Sequence, residues 1–271
     1  MLDEGRVAIA GLGVIGRRVA TALLDQEIVG LELCAVSARD TDAARRKLGP
    51  LGAGVQIVPL AALATHADII VECLPSALFD EVAVPAVEDG RTLIVLSSGA
   101  LLTRPELIDR AKETGAQIIV PSGAILALDA VRAASVGSIE RVTVITRKPP
   151  KSLEGAPLVE SMGIELNDLA EPLLIFEGSV RDAIKHFPAN VNVAASISLA
   201  GIGPDQTRIE VWADPNIFRN VQSLTVVSDC TSFTATIESK PSPENPRTGL
   251  MTPLSVIAAL KRHSGHLVIG S

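Results

Sequence analysis

Over the first 120 or so residues, short unbroken apolar runs alternate with stretches whose apolar positions recur every three or four residues. Val7–Ala10, Leu31–Val36, Ala67–Leu74, Thr92–Leu96 and Gln117–Val120 are such runs, and runs of this length bounded by turn residues fit strands buried on both faces. Thr41–Leu48, Phe79–Glu88 and Pro105–Thr114 carry the helical period between them. The strands give way to small residues or proline, at Gly11–Gly13, Ser37, Pro75–Ser76, Ser97–Ala100 and Pro121–Ala124. This rhythm predicts an α/β fold with a Rossmann-type, doubly wound parallel sheet.

Beyond Ala124 the pattern changes. Ile125–Ala134 reads as a helix, after which Ile139–Thr146, Gln206–Trp212, Leu224–Ser228 and Ser232–Ser239 alternate apolar with polar, as in a sheet with one covered face. Leu173–Phe176 adds a short strand, Ser179 suits the N-cap of a helix over Val180–Lys185, and Ala189–Leu199 and Leu254–Arg262 read as further helices. The expected division is a first domain over residues 1–124 with the segment 246–271, and a second α/β domain on a mixed sheet over 125–245.

The stretch RVAIAGLGVIGRR gives the first domain its chemistry. Gly11, Gly13 and Gly16 stand at G-x-G-x-x-G spacing between a strand and an amphipathic helix, where a diphosphate can reach the backbone and the helix N-terminus. Gly11, Gly13, Val14, Ile15 and Gly16 are therefore expected to line a dinucleotide cofactor. The second strand ends at Ser37 and Arg39, with Asp40 beyond. A hydroxyl and a guanidinium suit the 2′-phosphate of NADP, whereas Asp40 suits the free ribose of NAD, so NAD or NADP stays open. Cys73, Leu74, Pro75 and Ser76 at the next strand end are expected beside the nicotinamide. Cys73 has no adjoining His or Lys to activate it and reads as a packing residue.

Composition narrows the choice. The chain is 47% apolar, enough for a sizeable core, and its formal net charge of −7 argues against nucleic acid or an anionic membrane as partner. No stretch offers the run of about 18 apolar residues that a membrane helix needs, and the three cysteines are scattered, so a soluble cytoplasmic protein is expected. The chain has no tyrosine, which excludes a Tyr–Lys reductase mechanism. His66, His263 and His266 form no metal-ligand pattern, so no metal is expected. Arg147 and Lys148 read equally as a clamp for substrate carboxylates or as a solvated pair. His186, at a helix end, and Lys148 are candidate proton carriers.

FPANVNVAAS (187–196), TRKPP (146–150), NPRTG (245–249), PSGAILALDA (121–130) and ADPNIFRNVQSLTV (213–226) together resemble the L-aspartate dehydrogenase family. The resemblance covers nearly the whole chain. It implies NAD(P)-dependent interconversion of L-aspartate and iminoaspartate, the latter hydrolysing to oxaloacetate and ammonia, and a homodimer formed through the C-terminal domain. It also implies cofactor contacts at Ala124 and Asn190, with Asn190 reaching the substrate. Arg147, Lys148 and Arg247 are expected to bind a small dicarboxylate amino or imino acid. The family's catalytic histidine falls at Gln222, which cannot exchange a proton near neutral pH. Two alternatives therefore stand beside the aspartate reading: an NADPH-dependent reductase of another small imino or oxo acid, and a non-catalytic cofactor-binding homologue.

Overall fold

The structure, a computed structural model, describes residues 5–188, 191–240, 242, 244, 249–267 and 269. The chain divides into two compact units, one running to Gly123 and taking in Thr252–Ile269, the other spanning Ala124–Met251.

The first unit is built from β1 (Gly5–Ala10), α1 (Val14–Leu24), β2 (Leu31–Ser37), α2 (Thr41–Leu48), β3 (Gln56–Ile57), α3 (Leu63–His66), β4 (Ile69–Glu72), α4 (Asp80–Glu88), β5 (Thr92–Val95), α5 (Ser98–Leu102), α6 (Pro105–Thr114) and β6 (Gln117–Ile119). The strands form one parallel sheet in the order β3-β2-β1-β4-β5-β6. Winding reverses at β1, which lies between β2 and β4. Ligands of such sheets bind beyond the strand carboxyl ends at that reversal. The apolar runs are buried as a sheet covered on both faces requires: Val7, Ala8, Ile9, Ile70, Val71, Leu93 and Ile94 are fully buried. Ser97–Ala100, expected as a loop, instead leads into a short helix over Ser98–Leu102.

The second unit begins with α7 (Leu128–Ala134) and continues through β7 (Ile139–Lys148), α8 (Pro157–Met162), β8 (Leu173–Ser179), α9 (Val180–His186), α10 (Asn192–Ala200), β9 (Arg208–Ala213), β10 (Asn220–Ser228) and β11 (Ser232–Ser239). Its sheet runs β11-β10-β7-β9-β8, with only the β7–β9 pair parallel. Val142, Val144, Leu224, Val226, Ile209 and Val211 fill its covered face, and the intervening positions are partly exposed, as the alternating sequence predicts. Ser179 caps α9, accepting from the Asp182 N–H at 3.1 Å. One sequence expectation is corrected here, and one element is new. α8 had no reading, and β10 starts at Asn220 rather than Leu224, which places Gln222 inside a strand.

α11 (Met251–Ser264) returns the chain to the first unit. Val256, Ile257 and Leu260 join the cluster formed by Val7, Val19, Leu23 and Leu33, and Ser255 Oγ accepts from the Gly123 N–H at 3.0 Å. Burying each large aliphatic side chain is worth about 1.5–3 kcal/mol, so this last helix is part of the core. Among the described residues, no helix is long and apolar enough to cross a membrane.

Candidate active site

In the first unit the glycine turn has the form the spacing predicts. Gly11 adopts φ +92°, open to glycine at little cost, and a Cβ there would meet Cys73 O at 2.9 Å. Gly16 packs α1 onto the turn so closely that a Cβ would lie 2.0 Å from Gly11 O. Gly13 is different: a Cβ there would have nothing within 4 Å. It is the N-cap of α1 and offers no side chain to the first-turn N–H groups of Val14 and Ile15, so that helix end is open to a diphosphate. These residues fit a dinucleotide.

Ser37 is buried at the end of β2 and its carbonyl accepts from the Gly11 N–H at 2.9 Å. Arg39 is exposed just beyond. Asp40 Oδ1 is engaged at the α2 N-cap, accepting from the Ala43 N–H at 2.8 Å. Lys47, which the sequence reading passed over, donates from Nζ to Leu12 O inside the glycine turn at 2.9 Å. Helical phase was the available signal, since α2 brings Lys47 back towards the turn.

Cys73, Leu74 and Pro75 follow β4 beside this turn, with the Cys73 N–H donating to Ala10 O at 3.0 Å. Burial, reinforced by the Glu72 carboxylate, pushes the Cys73 thiol well above its ordinary pKa, which suits packing rather than nucleophilic chemistry. Glu72 is a second residue that sequence reasoning missed. Fully buried at the end of β4, its Oε1 accepts from the Leu74 N–H at 2.7 Å and Ser97 Oγ at 3.0 Å, and its Oε2 from the N–H groups of Leu96 at 3.1 Å and Ser97 at 2.9 Å. One side chain thus joins the loops after β4 and β5. Burial raises the Glu72 pKa against the opposing pull of those hydrogen bonds. A charged residue closing the apolar run ADIIVECL was its signal, because a buried carboxylate requires partners.

In the second unit the strand register decides which residues meet. Gln222 pairs with Thr146 across β10 and β7, and Thr146 Oγ1 donates to Gln222 Oε1 at 2.6 Å. Lys148 is the next residue of β7 on the same buried face, about 7 Å further along by strand geometry. Extending the Val221–Arg147 register by one step sets Asn220 level with Lys148, and Asn220 in turn pairs with Ser239 of β11. Asn220 Oδ1 and Ser239 Oγ are buried and have no hydrogen-bond partner among the described residues. The covered face, apolar over most of its area, therefore ends in a row of polar groups with unused capacity. Lys148 is 6% exposed, and burial lowers its pKa to about 8.

Strand alternation separates the two expected clamp residues. Arg147 lies on the opposite face from Lys148, with its guanidinium 4.8 Å from the Trp212 ring centroid and 3.3 Å from Asp214 Oδ2. The structure does not bring them together as one clamp. His186 is also apart from Gln222: it ends α9 beside Phe176 of β8, at the other side of the sheet, with ring centroids 5.5 Å apart. Ala124 opens the second unit, and Asn190 and Arg247 lie outside the described residues. Among the described residues, no cluster of His, Cys, Asp and Glu could hold a metal ion.

The pattern described as "Aspartate dehydrogenase, C-terminal" matches residues 129–263, and "Homoserine dehydrogenase, NAD binding domain" matches 11–121. The chain is 47% identical over 269 residues to L-aspartate dehydrogenase 3 of Bordetella bronchiseptica, covering 99% of this chain and 98% of that protein. It is likewise 47% identical over 269 residues to L-aspartate dehydrogenase of Bradyrhizobium diazoefficiens, covering 99% and 95%. The chain belongs to the aspartate dehydrogenase family. In fold, this family member matches the crystal structure of aspartate dehydrogenase from Thermotoga maritima with a TM-score of 0.76 at 24% identity, covering 98% of this chain and 99% of that one. The first unit of this aspartate dehydrogenase homologue is accordingly an NAD(P)-binding domain.

Proposed function

We propose that the protein is an NAD(P)-dependent L-aspartate dehydrogenase, interconverting L-aspartate with iminoaspartate, which water converts to oxaloacetate and ammonia. The observation that carries this reading is the polar row on the second unit's sheet. Gln222 Nε2, Asn220 and Ser239 supply hydrogen-bonding groups suited to a small dicarboxylate, and the buried amine of Lys148 lies in the same row. The dinucleotide supplies the hydride acceptor. Gly11, Gly13, Val14, Ile15 and Gly16 hold its diphosphate, and Cys73, Leu74 and Pro75 border its redox end. Ala124 and Asn190 are part of the same reading as further cofactor contacts, Asn190 also reaching the substrate.

NADP is the preferred cofactor in this proposal. Asp40 is engaged in capping α2, while Ser37, Arg39 and Lys47 offer a hydroxyl and two cations near the ribose end of the turn. The protein acts as a homodimer through the partly exposed face of the second unit's sheet.

The test is oxidation of NADPH or NADH by oxaloacetate plus ammonia, followed by fluorescence titration of each cofactor. Turnover with NADPH, and a raised KM for NADPH but not NADH in Arg39→Ala, support the proposal. Cofactor binding without turnover favours a non-catalytic homologue, because Gln222 occupies the histidine position. Turnover of a different oxo acid plus ammonia, with oxaloacetate inert, favours the other reductase.

A further inference from the structure

The substrate ammonium must give up a proton before the α-carbon can release hydride, and neither Gln222 nor Thr146 exchanges protons near neutral pH. The ionisable group beside them on this buried face, among the described residues, is Lys148. It sits one same-face position beyond Thr146, is 6% exposed, and makes no ion pair or side-chain hydrogen bond among the described residues. A buried ammonium without a partner costs free energy, and such a position persists where function uses it.

The surrounding charges leave Lys148 to itself. Asp214, whose N–H donates to Lys148 O, turns its carboxylate to Arg147 and to the Asn216 N–H. On β9, Glu210 accepts from Trp212 Nε1, and on β11, Glu238 lies on the other face near Arg219. β10 and α10 contain no ionisable side chain. On α9, Asp182 pairs with Lys185, Arg181 with Asp205, and His186 meets Phe176, while Asp129 and Arg132 of α7 have partners of their own.

We propose that Lys148 accepts the proton of the substrate ammonium during oxidation and returns it during reduction. This rests on the aspartate reading above. The ammonium N–H proton passes to neutral Nζ and frees the nitrogen lone pair. The α C–H bond then breaks, its electron pair leaving as hydride to the oxidised nicotinamide, while the lone pair forms the C=N bond. Lys148 afterwards releases its proton to solvent. Burial, which holds this amine near pH 8, keeps a usable neutral fraction at physiological pH.

Aspartate oxidation should be followed from about pH 6 to about pH 10 in wild type, Lys148→Arg and Lys148→Ala. In wild type, kcat/KM should rise with pH about a midpoint near 8. Lys148→Arg should lose that midpoint and about a hundredfold in kcat, with NADPH affinity within about twofold, because guanidinium keeps the charge but not the titration. Ethylamine should restore at least about tenfold in Lys148→Ala. A Lys148→Arg variant that keeps both kcat and the midpoint overturns the proposal. If wild type binds NADPH but leaves aspartate unreacted, the substrate reading fails and NMR of 13C-labelled lysines decides separately. A resonance titrating near pH 8 that is absent in Lys148→Arg and moves on adding succinate upholds a proton-exchanging lysine in the anion site, and its absence refutes it.

Discussion

Thr146 and Gln222 face each other across two adjacent strands, and the threonine hydroxyl donates to the glutamine oxygen at 2.6 Å in a buried setting. With its oxygen occupied, Gln222 presents the amide nitrogen as a donor, so this position binds an acceptor rather than moving a proton. In the proposed reaction proton exchange therefore falls to Lys148.

Gln222→His should give the site a second titrating group near pH 6.5. Around pH 7, where most of Lys148 is charged, aspartate oxidation should rise about tenfold, whereas near pH 9 the change should be under about twofold. Parallel pH–rate profiles check this, and superimposable profiles would count against Lys148 as the limiting base.

The glycines of the turn should divide in effect. Gly16→Ala drives a Cβ to 2.0 Å from Gly11 O and should destabilise the protein by several kcal/mol, at least about 3. Gly13→Ala meets no protein atom within 4 Å and should leave Tm unchanged while weakening NADPH binding about tenfold or more. Calorimetry and fluorescence titration separate the two, and a Gly13→Ala protein with normal affinity would remove the diphosphate from this turn.

Lys148→Met should stabilise the protein at pH 7 while abolishing turnover. The folded-state pKa is lowered to about 8 from an unfolded value near 10.4, so the buried ammonium is penalised below pH 8 and stability returns as pH rises through that window. The difference between wild type and variant should be on the order of 3 kcal/mol at pH 7 and shrink towards pH 10. Urea unfolding at both pH values measures it.

Glu72→Gln exchanges an acceptor oxygen for a donor among three backbone N–H groups. It should cost about 1–3 kcal/mol of stability and loosen the loops after β4 and β5. NADPH affinity should fall by about tenfold while KM for aspartate at saturating cofactor changes less than about twofold. A variant with wild-type cofactor affinity would confine Glu72 to a structural role.

The parallel sheet and its glycine turn were legible because both faces are covered, and continuous apolar runs ending in small residues have few other solutions. The second unit's alternation was equally readable, but its register was not. Reading β10 from Leu224 left Gln222 and Asn220 outside the strand, and only the pairing with Thr146 and Ser239 reveals the polar row. Arg147 and Lys148 adjoin in sequence, yet strand alternation turns them to opposite faces, where one stacks on Trp212 and the other is buried. Glu72 escaped notice because its four donors come from loops 24 and 25 residues downstream as well as its own, a relationship that sequence spacing does not display.

The closing helix has a consequence for synthesis on the ribosome. The second unit's whole sheet has been translated before Val256, Ile257 and Leu260 emerge to fill the first unit's interior. The segment made first is thus the one completed last, and a nascent chain halted near Leu250 exposes an unfilled apolar surface beneath a nucleotide-binding turn already present in sequence.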